Sequence, residues 1–190
     1  MKTLKINFLK TLFSFSFIAI LLSACTESNS STQEKSLVDK PKMDIQAAVI
    51  SGNLEVVKQH IAAGIDLNEK EQFSGSTPLI SAATFNKPEI AQALIDAGAD
   101  LSVKNNDGST ALHSAAFFGR VEIVQMLIDA QADKTIRNNF GATARESVIG
   151  PFAEVKPIYE MLEQQLSPMG LRLDMSELEK ARPVVAIMLQ

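Results

Sequence analysis

Gly75-Ser76-Thr77-Pro78-Leu79 is followed by two related stretches, Gly108-Ser109-Thr110-Ala111-Leu112-His113 and Gly141-Ala142-Thr143-Ala144. The leading glycines are spaced 33 residues apart in both steps. The segments between them also agree, because Ala82-Ala83 recurs as Ala115-Ala116. A fixed period of this length predicts stacked structural units that share one continuous core.

The period and the Thr-Pro-Leu and Thr-Ala-Leu-His signatures resemble the ankyrin repeat. The resemblance implies an all-α solenoid of about four helix-turn-helix units, with short β-turn or hairpin connections. A tetratricopeptide array has a similar period, but it offers no reason for a Gly-x-Thr turn at the start of every unit. We assign the ankyrin-repeat domain to residues 43–166. Its predicted units are 43–70, 71–104, 105–137 and 138–166.

Two residues depart from the repeat at the ends of second helices. Gln131 stands where the two preceding units have glycine, so a positive φ there would be strained. His60 stands where the next two units have leucine. We interpret His60 as a tolerated polar residue on a partly solvated end unit, since end units typically carry a polar outer face.

The C-terminal region is predicted to close the stack. The second helix of the fourth unit should span residues 157–165, and residues 167–190 should form a capping segment with one helix from 175 to 189. Pro183 should kink or split that helix. Its apolar side is expected to cover the open end of the stack, and a docking helix for a partner is the alternative. The residues expected to be buried in the earlier helix are Ile158, Met161 and Leu162.

Residues 1–24 are predicted to be a secretory signal peptide. Lysines precede a run of apolar and small residues from 12 to 22, which is shorter than the roughly 20 apolar residues that span a bilayer. Leu22-Ser23-Ala24-Cys25 resembles the lipobox of bacterial lipoproteins, which implies that Cys25 is lipidated. The alternative is a plain secreted protein whose cysteine falls there by chance. The chain has no second cysteine for a disulfide.

The lipobox resemblance also implies an address. Thr26 rather than aspartate follows the cysteine, which points to the outer membrane in the bacterial sorting rule. Residues 25–42 are almost entirely polar and are predicted to be a flexible tether. The domain would then lie in the periplasm of the bacterial cell envelope, attached to the membrane through its lipid anchor.

Charge and motif content argue against several functions. Beyond residue 24 the chain has 15 basic and 22 acidic side chains, a net charge of −7, and such a surface repels nucleic acid. The chain has two histidines and neither a phosphate-binding loop nor a nucleophile elbow. We therefore predict no catalytic residues, metal, cofactor or small-molecule substrate. The resemblance implies that His113 is structural and bonds the backbone of a turn.

Five phenylalanines point to a protein-binding face. They lie in the turns or at the ends of first helices, where the resemblance implies a concave partner-binding side. They are Phe73, Phe140, Phe85, Phe117 and Phe118, with Phe85 and Phe117 as first choices. The alternative is that the helix-end phenylalanines pack on one another and the turn phenylalanines brace adjacent turns. The expected polar rim consists of Ser74, Ser76, Thr84, Asn106, Asp107, Ser109, Asn139 and Ala142.

The sequence thus favours a membrane-tethered binding module that holds another protein on its concave face. The alternative is a structural envelope lipoprotein that is attached through its C-terminal helix. An enzyme is not expected.

Overall fold

The computed structural model describes residues 41–190. The predicted signal peptide, the lipidation site Cys25 and the tether up to residue 40 lie outside the described residues. Those features therefore stay predictions.

Three consecutive helix pairs form a stack. First helices pack on first helices, α1 on α3 and α3 on α5, and second helices do the same, α2 on α4 and α4 on α6. The region from 41 to 190 contains no strand, so the predicted all-α ankyrin solenoid is confirmed. The pairs are α1 (Ile45–Ser51) with α2 (Leu54–Ala62), α3 (Pro78–Thr84) with α4 (Pro88–Asp96), and α5 (Ala111–Phe117) with α6 (Val121–Asp129).

Small residues set the distance between neighbouring units. Ala82 and Ala83 in α3 and their counterparts in α5 are fully buried, which lets the first helices approach closely. Leu94 and Leu127 are also fully buried on the second helices, and each contributes roughly 2–3 kcal/mol by leaving water. Helix starts are well defined, because Thr77 Oγ1 accepts the N–H of Ile80 at 3.3 Å and Pro78 follows it.

The helix ends follow the repeat, with two non-glycine residues at positive φ, Asn86 after α3 and Gln131 after α6, of which asparagine tolerates that conformation better. The residues after the second helices adopt positive φ, and Gln131 does so at 63° where its counterparts are glycines. The predicted irregularity at Gln131 is therefore present in the backbone.

The sequence suggested that His60 is partly solvated, but the structure buries it. Its side chain is only 3% exposed, and its Nε2 donates to the carbonyl oxygen of Met43 at 2.8 Å. The chain before α1 folds back over α2 and covers the ring. The other ring nitrogen, Nδ1, is buried and has no hydrogen-bond partner among the described residues.

The fourth unit is interrupted by an inserted helix. Its first helix is reduced to one 3-10 turn, Glu146–Val148, and it is followed by α7 (Phe152–Leu166), a second 3-10 turn (Ser167–Met169) and α8 (Met175–Met188). The helix that packs against α6 is α8, which also contacts α5 and the Glu146–Val148 turn. Consequently α8, and not the helix around 157–165, takes the place of the fourth unit's second helix. The buried Val185 and Leu189 join the main core, as expected for a capping helix.

The burial predicted for α7 is wrong at two of three positions. Ile158 and Met161 are exposed and Leu162 is half-buried, whereas Tyr159 is fully buried. The helix begins five residues before Pro157. A proline at this depth is tolerated because the carbonyl that loses its partner belongs to Ala153, which is exposed to water.

Helix α8 continues through Pro183 without splitting. The carbonyl four residues earlier belongs to Glu179, which is exposed and can be hydrated. Asp174 caps the helix, since its carboxylate accepts the N–H groups of Ser176 and Glu177. None of the helices between residues 41 and 190 is long and apolar enough to cross a membrane.

Candidate protein-binding surface

Three loops line one edge of the stack, and we call them the loop surface: residues 71–76, 105–109 and 138–142. A backbone hydrogen bond closes each loop at about the same place. In the middle loop the N–H of Asn105 donates to the carbonyl of Ser109 at 2.9 Å. The loops are therefore hairpin-like connections, as the resemblance implied.

A side-chain acceptor stabilises each loop from within. Oδ1 of Asn105 accepts the N–H groups of Asp107 and Ser109 at 3.0 and 2.9 Å. Asn138 makes the same pair of bonds in the third loop. These bonds fix the loop backbone without help from a partner.

Glu71 replaces this asparagine in the first loop, which is one residue longer. Its carboxylate accepts the N–H groups of Phe73, Ser74 and Ser76 and the hydroxyl of Ser74. Partial burial raises the pKa of Glu71, but these hydrogen bonds outweigh burial, so its pKa lies below the usual value. The charged carboxylate is thus the form that organises this loop.

Asn106 and Asn139 connect each loop to the next. The N–H and the Nδ2 of Asn106 donate to the carbonyls of Ser74 and Phe73 at 2.8 and 2.9 Å. Asn139 repeats both bonds one unit later, to Asp107 and Asn106, at 2.9 Å each. We call this arrangement the asparagine ladder. It holds the three loops at fixed separations.

The ladder requires glycine at two places. A Cβ on Gly108 would lie 2.4 Å from Oδ1 and 2.8 Å from the backbone nitrogen of Asn139. Gly75 meets Asn106 in the same way, whereas a Cβ on Gly141 would meet nothing within 4 Å. The absence of a side chain is thus what lets the next loop dock.

Two of the five predicted phenylalanines are held out into solvent. Phe73 is 95% exposed and Phe140 is 79% exposed, and they lie in the first and last of the three loops. Asp107 is exposed in the middle loop. The idea that Phe73 and Phe140 brace adjacent turns is not supported, because so little of either side chain is covered.

The polar residues predicted for the rim have mixed positions. Ser74, Asn106, Asp107 and Asn139 are exposed, Ser109 and Ala142 are half-buried, and Ser76 is buried. The Ser76 carbonyl accepts the Nε2 of Gln46 at 3.0 Å, which ties the first loop to α1. Thr84 is half-buried, and its carbonyl accepts an N–H of Arg120 at 3.3 Å.

The other three phenylalanines are covered by the chain itself. Phe118 is buried, and Phe85 and Phe117 are half-buried in a cluster with residues of α7 and α8. The Phe117 ring lies 4.6 Å from the Tyr159 ring and 5.1 Å from the Phe118 ring. We therefore correct the expectation that Phe85 and Phe117 lead an open face, because α7 occupies that place.

Tyr159 fastens α7 to the stack. Its hydroxyl donates to the carbonyl of Phe117 at 2.7 Å and accepts an N–H of Arg182 at 2.7 Å. A second nitrogen of Arg182 donates to the carbonyl of Gly150 at 3.1 Å. One buried tyrosine thus links α5, α7 and α8.

His113 has the structural role that the resemblance implied. Its Nε2 donates to the carbonyl of Ala142 in the next loop at 3.2 Å, and its Nδ1 accepts the N–H and the hydroxyl of Thr110. Burial lowers the pKa of His113, and the positive charge of Lys104 adds to this effect. All three contacts fit a neutral ring that carries its proton on Nε2. Within residues 41–190 no three His, Cys, Asp or Glu side chains group as a metal site would require.

Asn106 and Asn139 were predicted as rim residues and not as connectors between loops, and Asn105 and Asn138 were not predicted at all. Asn105-Asn106 and Asn138-Asn139 recur with the same 33-residue period, so the signal was visible in the sequence. The connection between Tyr159 and Arg182 had no comparable signal, because neither residue belongs to the repeat.

Comparison with known proteins agrees with this architecture. The model of the family described as ankyrin repeats (3 copies) matches residues 45–138. Over 63 residues the chain is 42% identical to protein phosphatase 1 regulatory subunit 27 of Homo sapiens and to the protein of the same name in Mus musculus. The matched part is 33% of this chain and 40% of each relative, so the chain spans about two-fifths of the length of these relatives.

Proposed function

Because the chain carries ankyrin repeats over residues 45–138, we propose that it is a non-catalytic module that holds another protein on its loop surface. Ankyrin repeats are protein-protein interaction modules, and this coarse role follows from the family. The surface used, the partner's chemistry and the cellular setting are the parts proposed here.

Exposure of Phe73 and Phe140 is the observation that carries the proposal. Large apolar side chains held in water cost free energy, and surface aromatics are typical hot spots of protein interfaces. The asparagine ladder supports this role, because it fixes the loops before binding. A preformed surface loses little conformational entropy on association.

The chemistry of the loop surface indicates what it would accept. Phe73 and Phe140 flank the exposed Asp107, and Glu71 is charged at neutral pH. A complementary partner would present two apolar pockets on either side of a basic group. Opposite charge would also speed the encounter between the two proteins.

The relatives support a non-catalytic role in a limited way. They are named as regulatory subunits of a phosphatase, which is a role that works by contact with another protein. The phosphatase itself is not carried over to this chain.

For the setting, we propose attachment to the outer membrane through Cys25, with the repeats in the periplasm. The lipobox-like Leu22-Ser23-Ala24-Cys25 and the absence of any other cysteine support this location. Metabolic labelling with a fatty-acid analogue should mark the full chain and should not mark Cys25→Ser. Equal labelling of both proteins, or of neither, would count against the anchor.

The binding role is tested by crosslinking in the native cell envelope and mass spectrometry of the trapped partner. Phe73→Ala and Phe140→Ala should each weaken binding of that partner about thirtyfold or more, since truncating an interface hot spot costs at least about 2 kcal/mol. Ile158→Ala on α7 is the matched control, because it removes an exposed apolar side chain away from the loops.

The melting temperatures of the loop variants should remain close to that of the unmodified chain. The loop surface would be excluded as the partner site if a variant carrying both Phe73→Ala and Phe140→Ala still binds the partner. It would also be excluded if Ile158→Ala loses as much affinity as the loop variants.

A further inference from the structure

A second surface lies at the end of the stack, in the groove between the Glu146–Val148 turn and α8. We call it the end groove, and it encloses about 430 Å³. Its apolar walls include Ile149, Phe152, Pro183 and Ile187. Two arginines, Arg145 and Arg182, also line it.

The guanidinium of Arg182 is buried without a counter-charge. Its side chain is 2% exposed, and its known acceptors are the neutral Tyr159 hydroxyl and the Gly150 carbonyl. No carboxylate forms an ion pair with it among residues 41–190. A buried cation without an anion is unfavourable, and the two hydrogen bonds and the Tyr159 ring, whose centroid lies 5.9 Å from the guanidinium carbon, offset only part of that cost.

Arg145 adds a second unpaired positive charge to the same groove. Its Nε donates to the carbonyl of Ala186 at 3.1 Å, which directs the side chain along α8. It too lacks an ion pair within the described part of the chain. Glu179 is the carboxylate that lines the groove, and it pairs with neither arginine.

Apolar side chains stand beside these charges. Ile187 is 66% exposed, and Ile149 is also largely exposed. The opposite side of α8, with Val185 and Leu189, is buried in the core. The groove therefore offers apolar contact, the accessible guanidinium of Arg145 and the buried positive charge of Arg182, in a chain that is acidic overall.

We propose that the end groove binds a peptide segment of a partner protein in which an Asp or Glu stands next to a large apolar residue. The carboxylate pairs with the half-buried Arg145, the buried positive charge of Arg182 adds a longer-range attraction, and the apolar side chain packs against Ile149 and Ile187. This site is separate from the loop surface, which is acidic and calls for a basic partner group.

The test is selection of random twelve-residue peptides displayed on phage against the full chain, with counter-selection on Arg145→Gln. Peptides that survive should share an Asp or Glu beside Leu, Ile or Phe. A synthetic peptide of that sequence should lose about tenfold in affinity when its acid is replaced by the amide, since a charge-assisted hydrogen bond is lost. Ile187→Ala should weaken the same peptide.

Arg172→Gln is the matched control, because it removes an exposed arginine outside the groove and should leave binding unchanged. Peptides without an acidic consensus would overturn the proposal, and so would an empty selection because every binder also binds Arg145→Gln. Two other occupants would also overturn it. If a second copy of the chain occupies the groove, sedimentation will show a dimer that Ile187→Ala dissociates. If the chain's own residues 1–40 occupy it, the peptide will bind only after those residues are removed.

Discussion

Gln131 ends α6 with a φ of 63°, a conformation that side chains with a Cβ rarely adopt. The equivalent Gly98 has a φ of 84° and no atom within 4 Å of a Cβ added to it, so crowding is not an issue at this kind of position. The strain at Gln131 is therefore a property of its own backbone.

We predict that Gln131→Gly stabilises the protein by about 1 kcal/mol, because glycine removes the strain. For a domain of this size the melting temperature should rise by about 2–4 °C. The reverse change Gly98→Gln should lower it by a similar amount. Calorimetry of both variants provides the measurement, and a lower melting temperature for Gln131→Gly would show that the helix end gains nothing from glycine.

At the scale of the element, the second and third loops of the loop surface repeat the same hydrogen bonds. Gly108 and Gly141 have the same place in successive loops and nearly the same φ, 72° and 77°. They differ in what lies beside them, because Asn139 crowds Gly108 and nothing crowds Gly141.

We predict that Gly108→Ala destabilises the protein by more than about 2 kcal/mol, since backbone strain is added to a clash with Asn139. Gly141→Ala should cost only the strain, about 1 kcal/mol. Urea unfolding of the two variants gives the difference directly. Equal losses of stability in the two variants would mean that Asn139 moves aside without a measurable loss of free energy.

Elements that belong to the repeat were predictable, and those outside it were not. The period placed the turns, the helix pairs and the buried alanines, because every unit meets the same neighbours. The region after Gly150 lacks this redundancy. Its two helices both contain a proline and an apolar stripe, so the sequence did not indicate which of them packs against α6.

The same limit explains the error over the phenylalanines. Position in the repeat correctly placed Phe85, Phe117 and Phe118 at the ends of first helices. Whether such a side chain meets water depends on a helix from elsewhere in the chain. Here residues of α7 and α8 pack in the same cluster and cover them, while the loop residues Phe73 and Phe140 have no such cover.

At the scale of the whole molecule, Tyr159 joins the repeats to the C-terminal region. Tyr159→Phe would keep the ring but leave the Phe117 carbonyl and one donor of the buried Arg182 without a partner. We predict a loss of about 2–3 kcal/mol in the free energy of unfolding, because unpaired buried polar groups are costly.

Denaturant unfolding measures this loss, and hydrogen exchange should show weaker protection in α7 and α8 than in α3 and α4. Ile158→Ala is the control on the same helix, and it should change stability by less than about 0.5 kcal/mol. An unchanged stability of Tyr159→Phe would mean that water replaces the lost hydroxyl.

The inserted α7 makes the C-terminal end of the stack different from its repeated interior. Upstream of Gly141 successive loops dock through the same pair of asparagine bonds, so a duplicated 33-residue block inserted there should find matching surfaces on both sides. Downstream, α8 packs against α6 and closes the end of the stack with residues that have no counterpart in the repeats. Lengthening or shortening of the array should therefore be tolerated in its interior, provided that the C-terminal region is kept intact.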